Sequence, residues 1–435
     1  MITNITIIGL FGYKEININF NKDITILTGQ NGSGKTTVLN IINDISTGNY
    51  YNLYNYKFSS INVKLVDKSE IIAIYNLETD KDKPTISMFL KKYGRKRVPI
   101  IIENFEAIAD KIPSDIWNEI DEDIEELMQI NPRSWKDIYT GERYTRSEIL
   151  QKFAYRDSSL KRYIITNDLL KGLMPDVCKY IGTNRLIRFE NVKIRYREME
   201  RKVVSSIDLI AKSIKEEIVN ESSKYISYSQ NIDSTYPFRL IEKSKKASSF
   251  DKINNTINNL DLLVERLFDV GLIESKNKKT FKVKSTISDF ELRALNLYYN
   301  DQLEKFNYLL PLEKKLRIFK DKITAKLQNN KSIEFSKDYG FKIFSLLPTS
   351  IEIPVNTLSS GEQHEIIMLY DLLFSKENVK LFLIDEPEIS LHLDWQREYI
   401  VDLMEILGSN TDMQIVIATH APAIIGNYLK KCVEI

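Results

Sequence analysis

Eight residues near the start decide most of what this chain can fold into. Gly29-Gln30-Asn31-Gly32-Ser33-Gly34-Lys35-Thr36 follows a β-branched apolar run, Ile24-Thr25-Ile26-Leu27-Thr28, and leads into residues with helical spacing. A strand, a glycine-rich turn and a helix in that order make a loop that cradles phosphates. Gly29, Gly32 and Gly34 let the backbone turn tightly and aim its N–H groups inward. Lys35 can reach the β- and γ-phosphates of a nucleotide, and the Thr36 hydroxyl can ligate Mg²⁺. The helix, expected over roughly Thr36 to Asp44, points its positive end at the same anion. Gln30, Asn31, Ser33 and Thr37 complete the expected nucleotide-binding set. Such a loop calls for an α/β fold.

Two later strands end in chemistry. Leu381-Phe382-Leu383-Ile384 is wholly apolar and is followed by Asp385-Glu386-Pro387. In an open α/β sheet the ligand crevice lies at the carboxyl ends of the strands. Asp385 is therefore the candidate to hold Mg²⁺ with Thr36, and Glu386 the candidate to polarise an attacking water. The run Gln414 to Thr419 reads as a third buried strand, and His420 is the first polar group beyond its end. His420 can hydrogen-bond a γ-phosphate or the water. All three histidines, His364, His392 and His420, lie in this C-terminal region. Only His420 has a strand end to place it.

Between these motifs lies Leu358-Ser359-Ser360-Gly361-Glu362, before a helix expected from about Gly361 to Phe374. Taken alone, Ser359 and Glu362 are an N-cap and its capping-box acid. Their position about twenty residues before the acidic strand adds a second reading. Ser359, Ser360, Gly361 and Glu362 would offer a further helix N-terminus to an anion. Lys35 and its loop already take the phosphates from one side. A second N-terminus aimed at the same γ-phosphate would then come from another copy of the chain.

With these motifs in this order, the chain resembles the ABC-type ATPases of the RecF, SMC and OLD group. The likeness rests on residues 1–45 and about 330–435. Leu358-Ser359-Ser360-Gly361-Glu362-Gln363-His364-Glu365, with Asp385-Glu386-Pro387-Glu388-Ile389-Ser390-Leu391-His392, is most similar to the small ATPases of bacterial anti-phage systems (PARIS, Septu and the retrons, AriA and PtuA among them). The resemblance implies an ABC-type P-loop head, a mixed sheet flanked by helices with an inserted, largely helical lobe, and ATP and Mg²⁺ as its ligands. It implies ATP hydrolysis, at a rate the residues do not set, by Lys35, Glu386 and His420, with Thr36 and Asp385 on the metal. It also implies a homodimer, or a higher even-numbered homo-oligomer, closed by Ser359–Glu362 in trans. Ser390 to Asp394 would form the contact between the two heads. A separate effector protein would be held and released, with a phage protein as trigger and DNA as a further ligand. The rival is a DNA-repair clamp like RecF. A transporter motor finds no recognisable coupling segment. Ser360 and Glu362 stand where many transporters have glycine and glutamine. No Q-loop glutamine can be placed, and Phe11 and Tyr13 are candidates for stacking on adenine or for core.

Composition agrees with an intracellular machine. The chain has 435 residues, 43% hydrophobic and 28% charged, enough for one large core and a second lobe. Two distant cysteines, Cys178 and Cys432, argue for a reducing compartment and against a zinc site. No apolar run approaches the roughly eighteen residues of a membrane span, and the start has no basic leader. The sequence stops at Ile435, soon after His420, so any nuclease action is expected from a separate partner. Net charge is +1, which forces no nucleic-acid binding. The densest basic run, Lys91-Lys92-Tyr93-Gly94-Arg95-Lys96-Arg97, reads first as a solvated turn and second as a grip for phosphates or an acidic partner. Residues 115–126 are its acidic counterpart, a solvated helix face.

More than three hundred residues separate Thr36 from Leu358, far more than a compact head needs. The expected division is 1–80 for the first part of the head, 81–176 for a helical insertion, 177–190 for a returning head strand, 191–330 for a helical lobe and 331–435 for the rest of the head. Short helices broken by Pro113, Pro132 and Pro175 are expected over 103–175. Ile253, Ile257, Leu260, Val264 and Leu267 alternate in steps of four and three, a short heptad seam that Gly271 would end. Further helices are expected from Ser288 to Tyr308 and through Leu316, Phe319, Ile323 and Leu327. The lobe holds too few heptads for a long SMC-type arm. It serves either core packing or contact with a partner.

Overall fold

The computed structural model describes residues 1–76, 85–100, 108–124, 127–138, 141–153, 160, 178–183, 185–195, 198–241, 249–274, 288–327, 331–346, 349–375, 379–407 and 413–435. These form two compact units. One holds Met1–Asn184, Phe189–Lys202 and Ser375–Ile435, and the other Arg185–Arg188 and Val203–Phe374. The expected boundaries at 80, 176 and 330 fall outside the described residues.

The first unit opens with β1 (Ile2–Leu10), β2 (Lys14–Asn19) and β3 (Ile24–Thr28), then α1 (Lys35–Thr47). β4 (Ser60–Leu65), β5 (Glu70–Asn76), β6 (Thr85–Lys91) and β7 (Val98–Ile100) follow. Six of these strands make one antiparallel sheet in the order β2-β1-β4-β5-β6-β7. The basic run is thus the turn between β6 and β7, with Lys68 over the Tyr93 ring at 4.8 Å.

The next segment departs from the helical expectation. α2 (Ser114–Asp123) and α3 (Arg146–Phe153) are helices, but β8 (Leu127–Asn131), β9 (Ser134–Asp137) and β10 (Arg143–Thr145) form a small antiparallel sheet between them. The reason is an alternating pattern: Trp135 and Asp137 turn inward from β9 while Lys136 faces solvent. Trp135 packs against Trp117 of α2 with centroids 5.4 Å apart, and both indoles are fully buried.

The chain then returns as β11 (Cys178–Ile181), followed by a two-stranded ribbon of β12 (Ile187–Arg195) and β13 (Glu198–Ser205). The second unit carries α4 (Ser206–Ile241), α5 (Phe250–Asp269), α6 (Asp289–Asn307) and α7 (Leu310–Lys326). It continues with the antiparallel strands β14 (Lys331–Ser336), β15 (Gly340–Ser345) and β16 (Ile351–Ile353), and ends on α8 (Ser360–Leu373). In α5 the seam Ile253, Leu260 and Leu267 is buried and Leu263 widens it. Gly271 follows the helix at φ 69°, where the Leu272 N–H reaches back to the Leu267 carbonyl. Glu313 of α7, fully buried, is held by Arg266 of α5 at 2.6 Å.

β17 (Leu381–Asp385), α9 (Leu393–Leu407), β18 (Gln414–Ala418), α10 (Pro422–Ile425) and β19 (Cys432–Glu434) complete the first unit. They build a parallel sheet in the order β11-β17-β18-β3-β19. Every residue of β17 and β18 is buried, as are Ile24–Leu27. Strands covered on both faces read as unbroken apolar runs, which is why these three were visible in the sequence. α1 lays Val38, Leu39, Ile41, Ile42 and Ile45 into the same core. Gln414 sews the two sheets together: its amide accepts from the Ile2 N–H at 3.0 Å and donates to the carbonyls of Ile2 and Asn21. Among the described residues, no helix is long and apolar enough to cross a membrane.

Candidate active site

Parallel registry aligns the strand ends. Leu383 faces Val416 and Ile417 faces Ile26, so β17, β18 and β3 finish side by side. The alignment continues past the strands: the Glu386 N–H donates to the Ala418 carbonyl at 2.9 Å, and the Thr419 N–H to the Leu27 carbonyl at 3.1 Å. Asp385, Glu386, His420 and the glycine-rich loop therefore open onto one edge.

The loop is held by its own lysine. Lys35 is buried, and its ammonium donates to the carbonyls of Gly29 at 2.9 Å and Gln30 at 3.1 Å. Two of its three donors are thereby fixed. Gly29 has φ 147°, and a Cβ there would lie 2.7 Å from the Ile435 carbonyl oxygen. Gly34 has φ 102°, and a Cβ would meet the Phe11 ring at 3.2 Å. Around Gly32 a Cβ would find nothing within 4 Å, so the loop tip faces open space. Gln30, Asn31 and Thr36 are exposed there, and Ser33 and Thr37 are half-buried. The Ser33 hydroxyl is buried without a partner, while the Ser33 carbonyl accepts from Lys14 of β2 at 2.7 Å. Lys14 is a second cation at the loop that the motif did not point to.

Thr36 Oγ1 donates to Asp385 Oδ1 at 3.2 Å, joining residues 349 positions apart. The donor set fits a hard divalent cation: Mg²⁺ takes oxygen ligands at about 2.0–2.1 Å in octahedral geometry, so neighbouring ligand oxygens lie about 2.9 Å apart. The other Asp385 oxygen is held by the Tyr180 hydroxyl at 3.3 Å. Tyr180 sits on β11, opposite Leu383 of β17. Its part escaped the motif reading because the contact arises from strand neighbours, not from spacing along the chain.

Glu386 leaves the strand at φ 43°. A non-glycine residue in this left-handed region carries strain on the order of 1–2 kcal/mol. The turn is closed by the Ile389 N–H donating to the Glu386 carbonyl at 3.2 Å. His420 is half-exposed, and both its backbone N–H and its ring Nδ1 lie against Glu388 Oε1, at 3.0 and 3.1 Å. Glu388 is buried.

The signature segment belongs to the second unit. Ser359 caps α8: its hydroxyl accepts from the Glu362 N–H at 3.3 Å and donates to Glu362 Oε2 at 2.9 Å. The Ser359 N–H also donates to Glu362 Oε2, and Lys331 of β14 holds the other oxygen at 2.7 Å. Burial would raise the Glu362 carboxyl, but Lys331 and the Ser359 bonds outweigh it and hold it below its ordinary value. Ser360 is exposed and Gly361 buried at the start of the helix. His364 is buried within α8.

The remaining candidates are on the surface. Phe11 is half-exposed with its ring on Gly34, and Tyr13 is exposed. Ser390 is exposed at φ 62°, Leu393 is exposed, and His392 Nδ1 lies 3.5 Å from Asp394. Both cysteines are free thiols. In α1, Asp44 is buried, and burial pushes its carboxyl up to about 6 despite bonds from Asn52 and Tyr56 at 3.0 Å each.

Comparison with known proteins identifies the family. The family model AAA_15, AAA ATPase domain, matches residues 1–425. The Retron Vc95 probable ATPase of Vibrio cholerae serotype O1 biovar El Tor is 23% identical over 452 residues, spanning 98% of this chain and 72% of that protein. Among solved structures, the chain is similar to the Smc head domain with an extended coiled coil bound to the C-terminal domain of ScpA, from Pyrococcus furiosus. That match has a TM-score of 0.35 at 16% identity and covers 98% of this chain and 90% of the other. A second, the SmcHead bound to the C-winged helix domain of ScpA, matches with a TM-score of 0.34 at 13% identity, covering 98% and 91%.

Proposed function

The chain belongs to the AAA_15 family of AAA ATPase domains, and from that premise we propose that it binds and hydrolyses ATP as a dimer of heads that senses infection in an anti-phage system. The observation that carries the nucleotide site is the meeting of Thr36 Oγ1 and Asp385 Oδ1 at 3.2 Å beside the Lys35 loop. Gly29 to Thr37 would wrap the phosphates with backbone N–H groups, and Lys35 would turn its third donor to the γ-phosphate. Mg²⁺, held by Thr36 and Asp385, would draw charge from the β- and γ-phosphates. Tyr180 keeps Asp385 oriented. Glu386, on the turn that leaves the end of β17, directs the attacking water. His420 offers its outer ring nitrogen to the γ-phosphate or the water.

Ser359, Ser360, Gly361 and Glu362 act in trans on the partner copy's nucleotide. The γ-phosphate then supplies the differential contacts that a two-state device needs. Ser390 to Asp394, with its exposed Leu393, forms the head-to-head contact. The retron relative's name supports the defence role. In that role the ATP-bound assembly holds a separate effector protein, and a phage protein or DNA biases its release.

The test is the mass of the protein, 50.7 kDa per chain, purified with its native gene neighbours, with and without ATP and Mg²⁺. A stable complex with a second protein, rearranged on ATP or trigger, is expected. A bare ATP-dependent dimer that captures DNA in a salt-dependent way would replace this reading with a repair clamp. Glu386→Gln should trap the ATP-bound dimer, and Lys35→Ala should abolish nucleotide binding. Wild-type hydrolysis by Glu386→Gln would refute the assignment of the base.

A further inference from the structure

Beyond the residues that face the nucleotide, a buried acid holds His420. Glu388 is 8% exposed, and one of its oxygens, Oε1, receives two groups from the same residue: the His420 backbone N–H at 3.0 Å and the ring Nδ1 at 3.1 Å. The other oxygen, Oε2, is buried with no partner. The imidazole is anchored on its inner edge while the side chain stays 47% exposed.

We infer that Glu388 is a positioning residue for ATP hydrolysis, fixing the ring orientation and the tautomer of His420 so that Nε2 faces the nucleotide edge. This role rests on the one proposed for His420, contact with the γ-phosphate or the water.

A carboxylate oxygen can only accept, so a hydrogen on Nδ1 is the arrangement in which the ring and Glu388 attract at that 3.1 Å separation. A neutral ring then presents a lone pair at Nε2, and a protonated ring presents an N–H there. In both forms Nε2 is the outward atom. This is how a carboxylate behind a histidine acts in hydrolytic sites: it orients the ring and stabilises its cation without contacting substrate.

A plain capping role accounts for less of the geometry. The His420 N–H needs only a neutral acceptor, and a glutamine would serve it. Burying a carboxylate with one oxygen unpartnered costs free energy that capping alone does not require. The ring Nδ1 at 3.1 Å from the same oxygen is a second contact that capping does not need. The strand ends fix the pair: Glu386 N–H on the Ala418 carbonyl ties the turn bearing Glu388 to the end of β18, two residues before His420.

A double-mutant cycle on the full-length chain, with ATP and Mg²⁺ as the probes, tests this. Glu388→Gln is expected to lower kcat at least about tenfold, with KM for ATP changed less than about threefold. In a His420→Ala background the same change should cost less than about twofold, because the residue it acts through is gone. The chain has three histidines, so selective ¹⁵N-histidine labelling gives a readable spectrum. His420 should show the Nδ1–H tautomer in wild type and a mixture in Glu388→Gln. If Glu388→Gln does not fold, the wild-type spectrum and Glu388→Asp, which is too short to reach the ring, carry the test. Multiplying losses in the double variant, or an Nε2–H tautomer in wild type, would overturn the inference and leave the proposed function standing. Unchanged kcat in His420→Ala would remove the role of His420 itself, and this inference with it.

Discussion

Asp44 makes the stability of the nucleotide-binding unit depend on pH, and its sign can be worked out. It sits in α1, the helix that carries the phosphate loop, and its side chain is 3% exposed. Burial raises its carboxyl from 3.8 to about 6, and the bonds from Asn52 and Tyr56 recover only part of that. In the unfolded chain the group titrates near 3.9. The folded state therefore holds the proton more tightly. Its favourable contribution is complete below about pH 4 and is lost as pH rises through about 6. A shift of about two units corresponds to roughly 2–3 kcal/mol. Asp44→Asn cannot ionise, so its stability relative to wild type should climb by that amount between pH 4 and pH 7.5. Losing one acceptor adds an offset that does not vary with pH, so the slope is the measurement. All three tryptophans, Trp117, Trp135 and Trp395, lie in the first unit, so tryptophan fluorescence follows its melting. At about 2–4 °C per kcal/mol for a unit of this size, the Tm difference should widen by about 5–10 °C across the range. A flat difference would refute the claim that burial raises the Asp44 carboxyl.

Other outcomes follow from single contacts. Tyr180→Phe deletes the hydroxyl on Asp385 Oδ2, a bond to a charged acceptor worth about 1–2 kcal/mol. The Mg²⁺ concentration for half-maximal hydrolysis should rise several-fold while Tm moves little, and an unchanged Mg²⁺ dependence in steady-state assays would remove Tyr180 from the site. Gly340→Ala in the second unit places a Cβ 1.8 Å from the Ala211 carbonyl oxygen at φ 79°. It should cost at least about 3 kcal/mol, read by denaturant unfolding. Ser359→Ala removes a helix cap worth about 0.5–2 kcal/mol. If Ser359 also acts in trans, the variant should lose the ATP-dependent dimer by mass measurement while a single chain still binds ATP.

The parts of this protein that were legible in its sequence share one property: each is decided along the chain. Ile24–Leu27, Leu381–Ile384 and Ile415–Ala418 are buried on both faces, so each reads as a short β-branched or apolar run with its motif residues just beyond. That placed Lys35, Thr36, Asp385, Glu386 and His420 at strand ends. Ser359 and Glu362 were legible as a capping box, which is a local bond. The hairpin of β8 and β9 was not, because four- and five-residue strands with polar residues interleaved compete poorly with the proline breaks that suggested helices. Lateral partners are a different matter. Tyr180 meets Asp385 because β11 lies next to β17, and Glu388 meets His420 because β17 lies next to β18. Nothing in the spacing of residues says which strand is the neighbour of which. Lys331 on Glu362 is hidden for the same reason, as a strand residue reaching a helix cap. The residues expected to touch the nucleotide are therefore readable one by one, whereas those that hold them still depend on topology. A search for further groups of this kind should follow the sheet order, strand end by strand end, before it follows the sequence.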